Sequence, residues 1–154
     1  MNVVPPTLEF AFEAEVSVSP RIIVGQVPGG ERRIIPIAGG IVRGHMLSGL
    51  VVPGGADWQV SRPGDILDLT ARYTLQAADG TYIGVVNRAL RHGPADIIAR
   101  LNNSETIDQS RIYFRGSPML EAPAGPHEWL NRFIFVATGE RHPAGVLIRF
   151  FVVR

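Results

Sequence analysis

The chain has 154 residues, 45% of them hydrophobic, and its 15 basic residues nearly balance its 14 acidic ones, for a formal net charge of +1. This length supports one domain with a substantial core, so we expect a single domain over residues 1–154. The balanced charge argues against nucleic acid or an anionic membrane as a partner, and the lack of cysteine excludes disulfides and thiolate metal sites.

Alternating apolar and polar residues predict β-strands from the N-terminus onwards. In residues 8–18, one face carries leucine, phenylalanine, alanine and valine, while the other carries mainly glutamate. The strand-like segments 31–40 and 39–52 follow, and Gly39 and Gly40 can bend or bulge a strand where they meet. Pro53-Gly54-Gly55 predicts a turn.

The clearest strand pattern covers residues 65–77, where apolar and polar side chains alternate without interruption. Asp79-Gly80 then predicts a tight hairpin, with residues 81–90 as the returning strand. Residues 93–104 are the one segment with helical features, because a proline and an aspartate suit its first turn and its isoleucines and leucine share a face. We expect this short helix to act as a lid or plug.

The strand patterns at 110–116, 129–137 and 145–153 complete the chain. Roughly nine or ten strands with one short helix predict an all-β fold, most simply a closed antiparallel barrel, with a β-sandwich as the alternative. A closed barrel leaves no exposed edges, and one of eight or more strands can hold a small ligand. The last segment is apolar on both faces, so one face needs cover, and we expect a homodimer.

Four blocks of sequence resemble a known family. They are GGIVRGHMLSGLVVPGGADWQ, ARYTLQAADGTYIGVVN, IYFRGSP and WLNRFIFVATGER. In this order they are similar to the bacterial and fungal family called domain of unknown function 3237, from about Leu8 to Val153. The resemblance implies a compact β-barrel with a central cavity, often paired as a homodimer, and it brings little settled biochemistry.

The chain departs from this family pattern at two places. Members often carry an aspartate where this chain has Thr70, and Phe-Glu-Thr where it has Leu120-Glu121-Ala122. If that aspartate is a catalytic acid in other members, its role is in doubt in this chain, whereas Glu121 is retained.

Arg72 and Glu121 are the leading candidates for catalysis. Arg72 shares a strand face with Thr70, and its guanidinium offers a fork of donors for a carboxylate, enolate or phenolate if that face lines the lumen. An exposed polar strand face is the alternative. Glu121 precedes Trp129 in an aromatic, proline-rich segment, where contact with the indole would raise its pKa and suit proton transfer. A salt bridge at the rim is the alternative.

Aromatic residues supply the candidate ligand contacts. Trp129, Asn131 and Phe133 share strand parity, which is typical either of a ligand-facing wall with an amide anchor or of a core in which Asn131 binds a neighbouring backbone. Tyr113 can donate to a developing oxyanion, although most buried tyrosines bond a carbonyl. Asp57 beside Trp58 is a turn cap or a catalyst, and Trp58 is a candidate ligand contact.

No cofactor or metal is predicted. The four histidines are scattered singly, without the spacing of metal ligands, and only His45, in a glycine-flanked strand, is a candidate worth checking. The sequence contains no phosphate-binding loop, serine elbow or dinucleotide fingerprint. The N-terminus lacks a signal-peptide pattern and no apolar run suits a membrane helix, so we expect a cytoplasmic protein.

Three functions remain open at this point. The first is a cofactor-independent isomerase, cyclase or lyase acting on an aromatic or polyketide-like carbonyl compound, with catalysis by Arg72, Glu121 and Tyr113. The second is a carrier or sensor of an apolar small molecule. The third is a self-associating structural module, which predicts a lumen filled with side chains. If either of the first two functions is correct, the variants Arg72→Ala and Glu121→Gln should fold normally and bind the ligand more weakly.

Overall fold

The computed structural model describes residues 1–154 and consists mainly of β-strands. Its elements in chain order are β1 (Leu8–Val18), β2 (Ile22–Val27), β3 (Gly30–Arg43), β4 (Gly49–Arg62), β5 (Ile66–Ala77), β6 (Tyr82–His92), α1 (Ala95–Asn102), β7 (Tyr113–Glu121), β8 (Phe135–His142) and β9 (Gly145–Val153). Two short 3₁₀ helices, Gln109–Arg111 and Glu128–Arg132, lie in the loops before β7 and β8. No helix has the length and apolar character needed to cross a membrane.

The sheet closes into an eight-stranded antiparallel barrel. Its strands follow the order β1-β9-β8-β7-β6-β5-β4-β3, and β3 pairs with β1 to complete the ring. The long strand β3 divides its length between two partners, because its first half pairs with β2 and its second half pairs with β1. The predicted barrel is therefore confirmed, with nine strands in all, and β2 keeps one unpaired edge. The homodimer stays a prediction.

Two glycine-rich irregularities bend β3 and β4. The pairing of these strands shifts between Pro36 and Gly40, as the glycine pair predicts. Gly40 has φ 152°, and a Cβ there would lie 2.1 Å from the carbonyl oxygen of Glu15, so only glycine fits. The predicted turn at Pro53-Gly54-Gly55 is wrong, because these residues form a bulge inside β4, opposite Tyr73 of β5. Glycine and proline suit bulges as well as turns.

The hairpin at Asp79-Gly80 is confirmed. It joins β5 to β6, Gly80 has φ 90°, and the Gly80 amide donates to the Ala77 carbonyl at 2.8 Å. The strand predicted over 129–137 is wrong in its first half, which is the 3₁₀ helix Glu128–Arg132. The side-chain amide of Asn131 binds both the N–H and the carbonyl of Ala122 at 2.8 Å, and these bonds fasten the helix to the end of β7.

The core inside the barrel includes a pair of stacked aromatic rings. Phe12 of β1 and Phe150 of β9 are fully buried, and their ring centroids lie 4.4 Å apart. Burial of such apolar area is the main favourable term in folding. Helix α1 lies at one end of the barrel and buries Ile97, Ile98 and Leu101, so the predicted helix is confirmed, and its role as a lid stays a prediction.

Candidate functional site: a cavity inside the barrel

The barrel encloses a cavity of about 460 Å³, and half of the residues that line it are hydrophobic. Its walls come from inward-facing residues of all eight strands of the barrel. Ala71 of β5 and Ala89 of β6 lie among these residues, and their small side chains leave space where larger ones would fill the barrel. The mouth lies among the loop after β1, the C-terminal end of α1 and the β8–β9 turn, where Arg21, Asn102 and Pro143 contribute.

Three polar side chains project into this cavity from neighbouring positions on the wall. Asp57 and Gln59 follow each other on the inner face of β4, and the backbone register places Asn87 of β6 level with Asp57, with Ala71 between them. Gln59 Nε2 donates to Asp57 Oδ2 at 2.8 Å. Asp57 Oδ1 and Asn87 Oδ1 are buried without a hydrogen-bond partner. Buried polar atoms are costly to leave unpaired, so this arrangement is typical of a site that binds a ligand or water.

Burial raises the pKa of the Asp57 carboxyl to about 6, although the hydrogen bond from Gln59 and the charge of Arg91 act in the opposite direction. A carboxyl with this pKa can both accept and release a proton near neutral pH, as general acid–base catalysis requires. Burial also raises the pKa of Tyr73, on the same cavity wall, and the nearby Asp57 charge raises it further. Tyr73 is therefore a neutral phenol that can donate a hydrogen bond.

Four arginines surround the cavity between Asp57 and the mouth, and we call them the arginine collar. They are Arg21 in the loop after β1, Arg33 on β3, Arg91 on β6 and Arg141 on β8. The three strands involved are spread around the ring of eight, so guanidinium groups approach the cavity from different sides. Such a collar creates a positive potential in a partly desolvated space.

The two most buried arginines of the collar lack hydrogen-bond partners for part of their guanidinium groups. Arg33 and Arg91 are each only 7% exposed, and the Nε of each has no hydrogen-bond partner. The Nε of Arg33 lies 3.7 Å from a carboxylate oxygen of Glu31. Burial, together with the neighbouring charges of Arg33 and Arg141, lowers the pKa of Arg91 to about 10. Arg91 still carries its charge at neutral pH.

Arg141 is held differently from the other collar residues. Its guanidinium donates to the carbonyl oxygens of His142 and Gly145, the latter at 2.9 Å. These bonds tie the side chain to the β8–β9 turn. Arg141 therefore contributes charge at the mouth with part of its donor capacity already used.

The structure places the predicted β4–β5 site residues on the outer surface. Ala71 and Tyr73 line the cavity, so the intervening Arg72 faces outwards, where it is exposed. Thr70 lies on the same outer face, opposite Trp58, whose side chain is 49% exposed. The prediction that Arg72, Thr70 and Trp58 line the lumen is therefore wrong, because burial of the apolar face of β5 directs its polar face to solvent.

Tyr113 and Glu121 also lie outside the cavity, at the two ends of β7, where both are exposed. The Tyr113 ring stacks on His92 at a centroid distance of 4.7 Å, and the Arg115 guanidinium lies 5.6 Å from the same ring. The prediction that Tyr113 and Glu121 are catalytic groups inside the lumen is therefore wrong. Residue parity explains this, because Phe114 and Leu120 of β7 are the buried side chains.

The predicted aromatic wall is part of the supporting structure. Asn131 binds the backbone of Ala122, Trp129 packs against the core, and Phe133 lies under the Arg154 guanidinium at 4.8 Å. None of Trp129, Asn131 and Phe133 lines the cavity. Their interpretation as ligand contacts is wrong, and the alternative, in which Asn131 binds neighbouring backbone, describes the structure. The cause is the 3₁₀ helix, which breaks the strand parity that the prediction assumed.

Sequence reasoning missed Arg33, Gln59, Asn87 and Arg91, and it left Asp57 undecided. A usable signal was present in β6, where Asn87 and Arg91 share parity with Ile83, Val85 and Ala89. Polar residues on the apolar face of an alternating strand indicate a buried polar site. His45 is exposed, and no group of three or more histidine, cysteine, aspartate or glutamate side chains is placed to hold a metal ion.

Comparison with known proteins agrees with this architecture. A family model described as "Protein of unknown function (DUF3237)" matches residues 6–153. The chain belongs to the DUF3237 family. A UPF0311 protein of Bradyrhizobium diazoefficiens is 39% identical over 145 residues, which cover 93% of this chain and 95% of that protein.

Solved structures extend the comparison. The crystal structure of a conserved protein of unknown function from Rhodopseudomonas palustris superposes with a TM-score of 0.95 at 34% identity, covering 99% of this chain and 100% of that one. A structure described as an enzyme from Penicillium herquei superposes with a TM-score of 0.75 at 19% identity, covering 100% of this chain and 98% of that one. At this identity the second likeness concerns the fold alone, so the DUF3237 barrel extends to distant sequences.

Proposed function

We propose that this DUF3237 protein binds an aromatic or polyketide-like carbonyl compound in its cavity and moves a proton on it without a cofactor, as an isomerase, cyclase or lyase. One observation carries the proposal. Asp57 presents a buried oxygen without a hydrogen-bond partner to a cavity of about 460 Å³, beside neutral Tyr73 and charged arginines. This combination supplies a proton acceptor and oxyanion donors in a water-poor space.

In the proposed step, the Asp57 carboxylate takes a proton from the carbon next to the substrate carbonyl. The electron pair of that C–H bond forms the new C=C bond, and the carbonyl π electrons move onto oxygen to give an enolate. The Tyr73 phenol stabilises this oxyanion by donating a hydrogen bond, and the positive potential of the arginine collar adds to its stabilisation. Where a C=C bond is conjugated to the enolate, return of the proton from Asp57 to the far carbon of that system completes an isomerisation. Where the molecule has a second carbonyl, the enolate carbon bonds to its carbon and closes a ring, and the oxygen that receives the π electrons takes the proton from Asp57. Where a leaving group lies on the next carbon, the enolate re-forms its carbonyl, a C=C bond forms, and the group departs with its bonding electrons and the proton from Asp57, which is the lyase reaction.

The cavity bears on the competing functions. A purely structural module predicts a lumen filled with side chains, and that prediction is wrong for this barrel. A carrier of small molecules needs the same hollow as an enzyme and differs in having no use for a proton-transfer group. Asp57 therefore favours the enzyme.

Filling the cavity tests whether it is the binding site. Ala71→Leu places a larger apolar side chain between Asp57 and Asn87, and the empty space should accept it with little loss of stability. We expect ligand affinity, measured by isothermal titration calorimetry with 4-acetylbenzamide, to fall at least about tenfold. Thr70→Leu on the outer face of the same strand is the control and should bind normally. Equal affinities for the two variants would place the ligand elsewhere.

Proton transfer is measured directly by hydrogen exchange. In D₂O, the protein should accelerate deuterium incorporation into the acetyl group of 4-acetylbenzamide, followed by NMR. Asp57→Asn keeps the size of the side chain but cannot accept the proton, so we expect the acceleration to fall roughly 10²-fold or more.

The matched control is Asp68→Asn, which removes a carboxylate from the outer face of β5. This variant should accelerate deuterium incorporation into the acetyl group as much as the wild-type protein does. A wild-type protein that binds the ketone without accelerating exchange would be a carrier, and an Asp57→Asn variant with full activity would remove Asp57 from the mechanism.

A further inference from the structure

The arginine collar has more positive charge than the cavity needs for its own balance. Four guanidinium groups line the cavity or its mouth, against one carboxyl, Asp57, in the same lining. Glu31 is the only acidic group paired with a collar residue, through its 3.7 Å contact with Arg33, and its side chain is 36% exposed. The lining of the cavity is therefore short of negative charge, and a bound anion would supply it.

The position of the collar relative to Asp57 defines how such an anion would lie. Arg33 is level with Gln59, which lies one inward-facing position closer to the mouth than Asp57. Arg91 is level with Ser61, which lies one inward-facing position beyond Gln59 in the same direction. Inward-facing positions along a strand are about 7 Å apart. A ligand that reaches from the collar to Asp57 is therefore about as long as a benzene ring with one substituent at each end.

We infer that the cavity selects carbonyl compounds that also carry a carboxylate, with the carboxylate held by the buried guanidinium groups of Arg33 and Arg91 and the reacting carbon directed towards Asp57. This inference rests on the proposed function for the reacting end only. The planar fork of a guanidinium matches a carboxylate with two parallel hydrogen bonds, and the apolar wall suits the ring between the two groups. At the reacting end, the Tyr73 phenol on the same cavity wall donates to the enolate as it forms.

The lowered pKa of Arg91 is consistent with this assignment. Burial and the surrounding guanidinium groups make the charged form of Arg91 less stable than in water. A carboxylate between the arginines would reverse that effect, because it attracts each of them. Binding should therefore be tighter for an anion than for a neutral molecule of the same shape.

A pair of ligands of equal shape tests the inference. We expect calorimetry at pH 7.5 to give 4-acetylbenzoate an affinity roughly 10- to 100-fold higher than 4-acetylbenzamide, the range typical of charge-assisted hydrogen bonds. Arg91→Met should abolish most of this preference, and Arg91→Lys should restore part of it, because a lysine keeps the charge and loses the fork. Arg72→Met, on the outer surface, is the control and should keep the full preference. Thermal unfolding of each variant verifies that it is folded.

The outcomes separate this inference from the proposed function. Equal affinities for acid and amide in the wild-type protein, or an equal loss of preference in Arg72→Met and Arg91→Met, would overturn the carboxylate site. Benzyl phosphate is a third ligand, and tighter binding of this dianion than of 4-acetylbenzoate would also overturn it. A carboxylate preference without Asp57-dependent deuterium exchange would leave the anion site intact and overturn the enzymatic proposal instead.

Discussion

Asp57→Asn is expected to stabilise the protein by about 3 kcal/mol at pH 7, and this gain should shrink to about 0.5 kcal/mol near pH 4. Burial raises the pKa of Asp57 from its ordinary value of 3.8 to about 6. Between these values the native state holds the proton that the unfolded state has released, so the free energy of unfolding falls as the pH rises. The loss is complete above about pH 6. Asparagine stays neutral, keeps an acceptor for Gln59 and avoids this loss.

Urea denaturation of both proteins at several pH values between 4 and 8 measures this effect. Taking the difference between wild type and variant at each pH removes the contributions of other groups, including Asp79, Asp108 and Glu140, whose lowered pKa values act with the opposite sign. Asp68→Asn provides the control on the outer face of β5. A difference that does not change with pH would show that the Asp57 carboxyl is not held in a desolvated site. The expected gain in stability, combined with a loss of proton transfer, is the trade-off typical of catalytic groups.

Phe150→Ala should destabilise the protein by about 3–5 kcal/mol, the usual cost of removing a fully buried aromatic ring. Phe150 is 0% exposed and stacks on Phe12 at 4.4 Å. These residues join β9 to β1, one of the pairings that close the barrel. The variant loses apolar burial and leaves a void that its rigid surroundings cannot fill completely.

The neighbouring phenylalanine is the matched control. Phe151 faces the other side of β9, is partly exposed, and meets Phe10 edge-on at a centroid distance of 5.8 Å. Phe151→Ala should therefore cost clearly less than Phe150→Ala in the same chemical denaturation experiment. Equal losses would mean that the two faces of β9 contribute equally, contrary to the burial pattern of the barrel.

Local features of the structure were predictable from the sequence because they depend on short-range chemistry. The alternation in β5 and β6 and the Asp79-Gly80 turn define a hairpin without reference to the rest of the chain. The short apolar face of α1 likewise predicts its position against the barrel. The errors arose where a signal had two meanings, as at Pro53-Gly54-Gly55, which forms a bulge, and at Trp129, which lies in a 3₁₀ helix.

The sequence by itself determined the family, the strands and the all-β class, since alternation and turn chemistry are properties of neighbouring residues. Only the tertiary structure decided which face of each strand surrounds the cavity, and it placed Arg72 outside and Arg91 inside. The apolar faces turn inwards because their burial drives folding, so the functional polar groups are the few that interrupt those faces. Their meeting around one hollow depends on barrel closure, which brings together strands that are distant in the sequence.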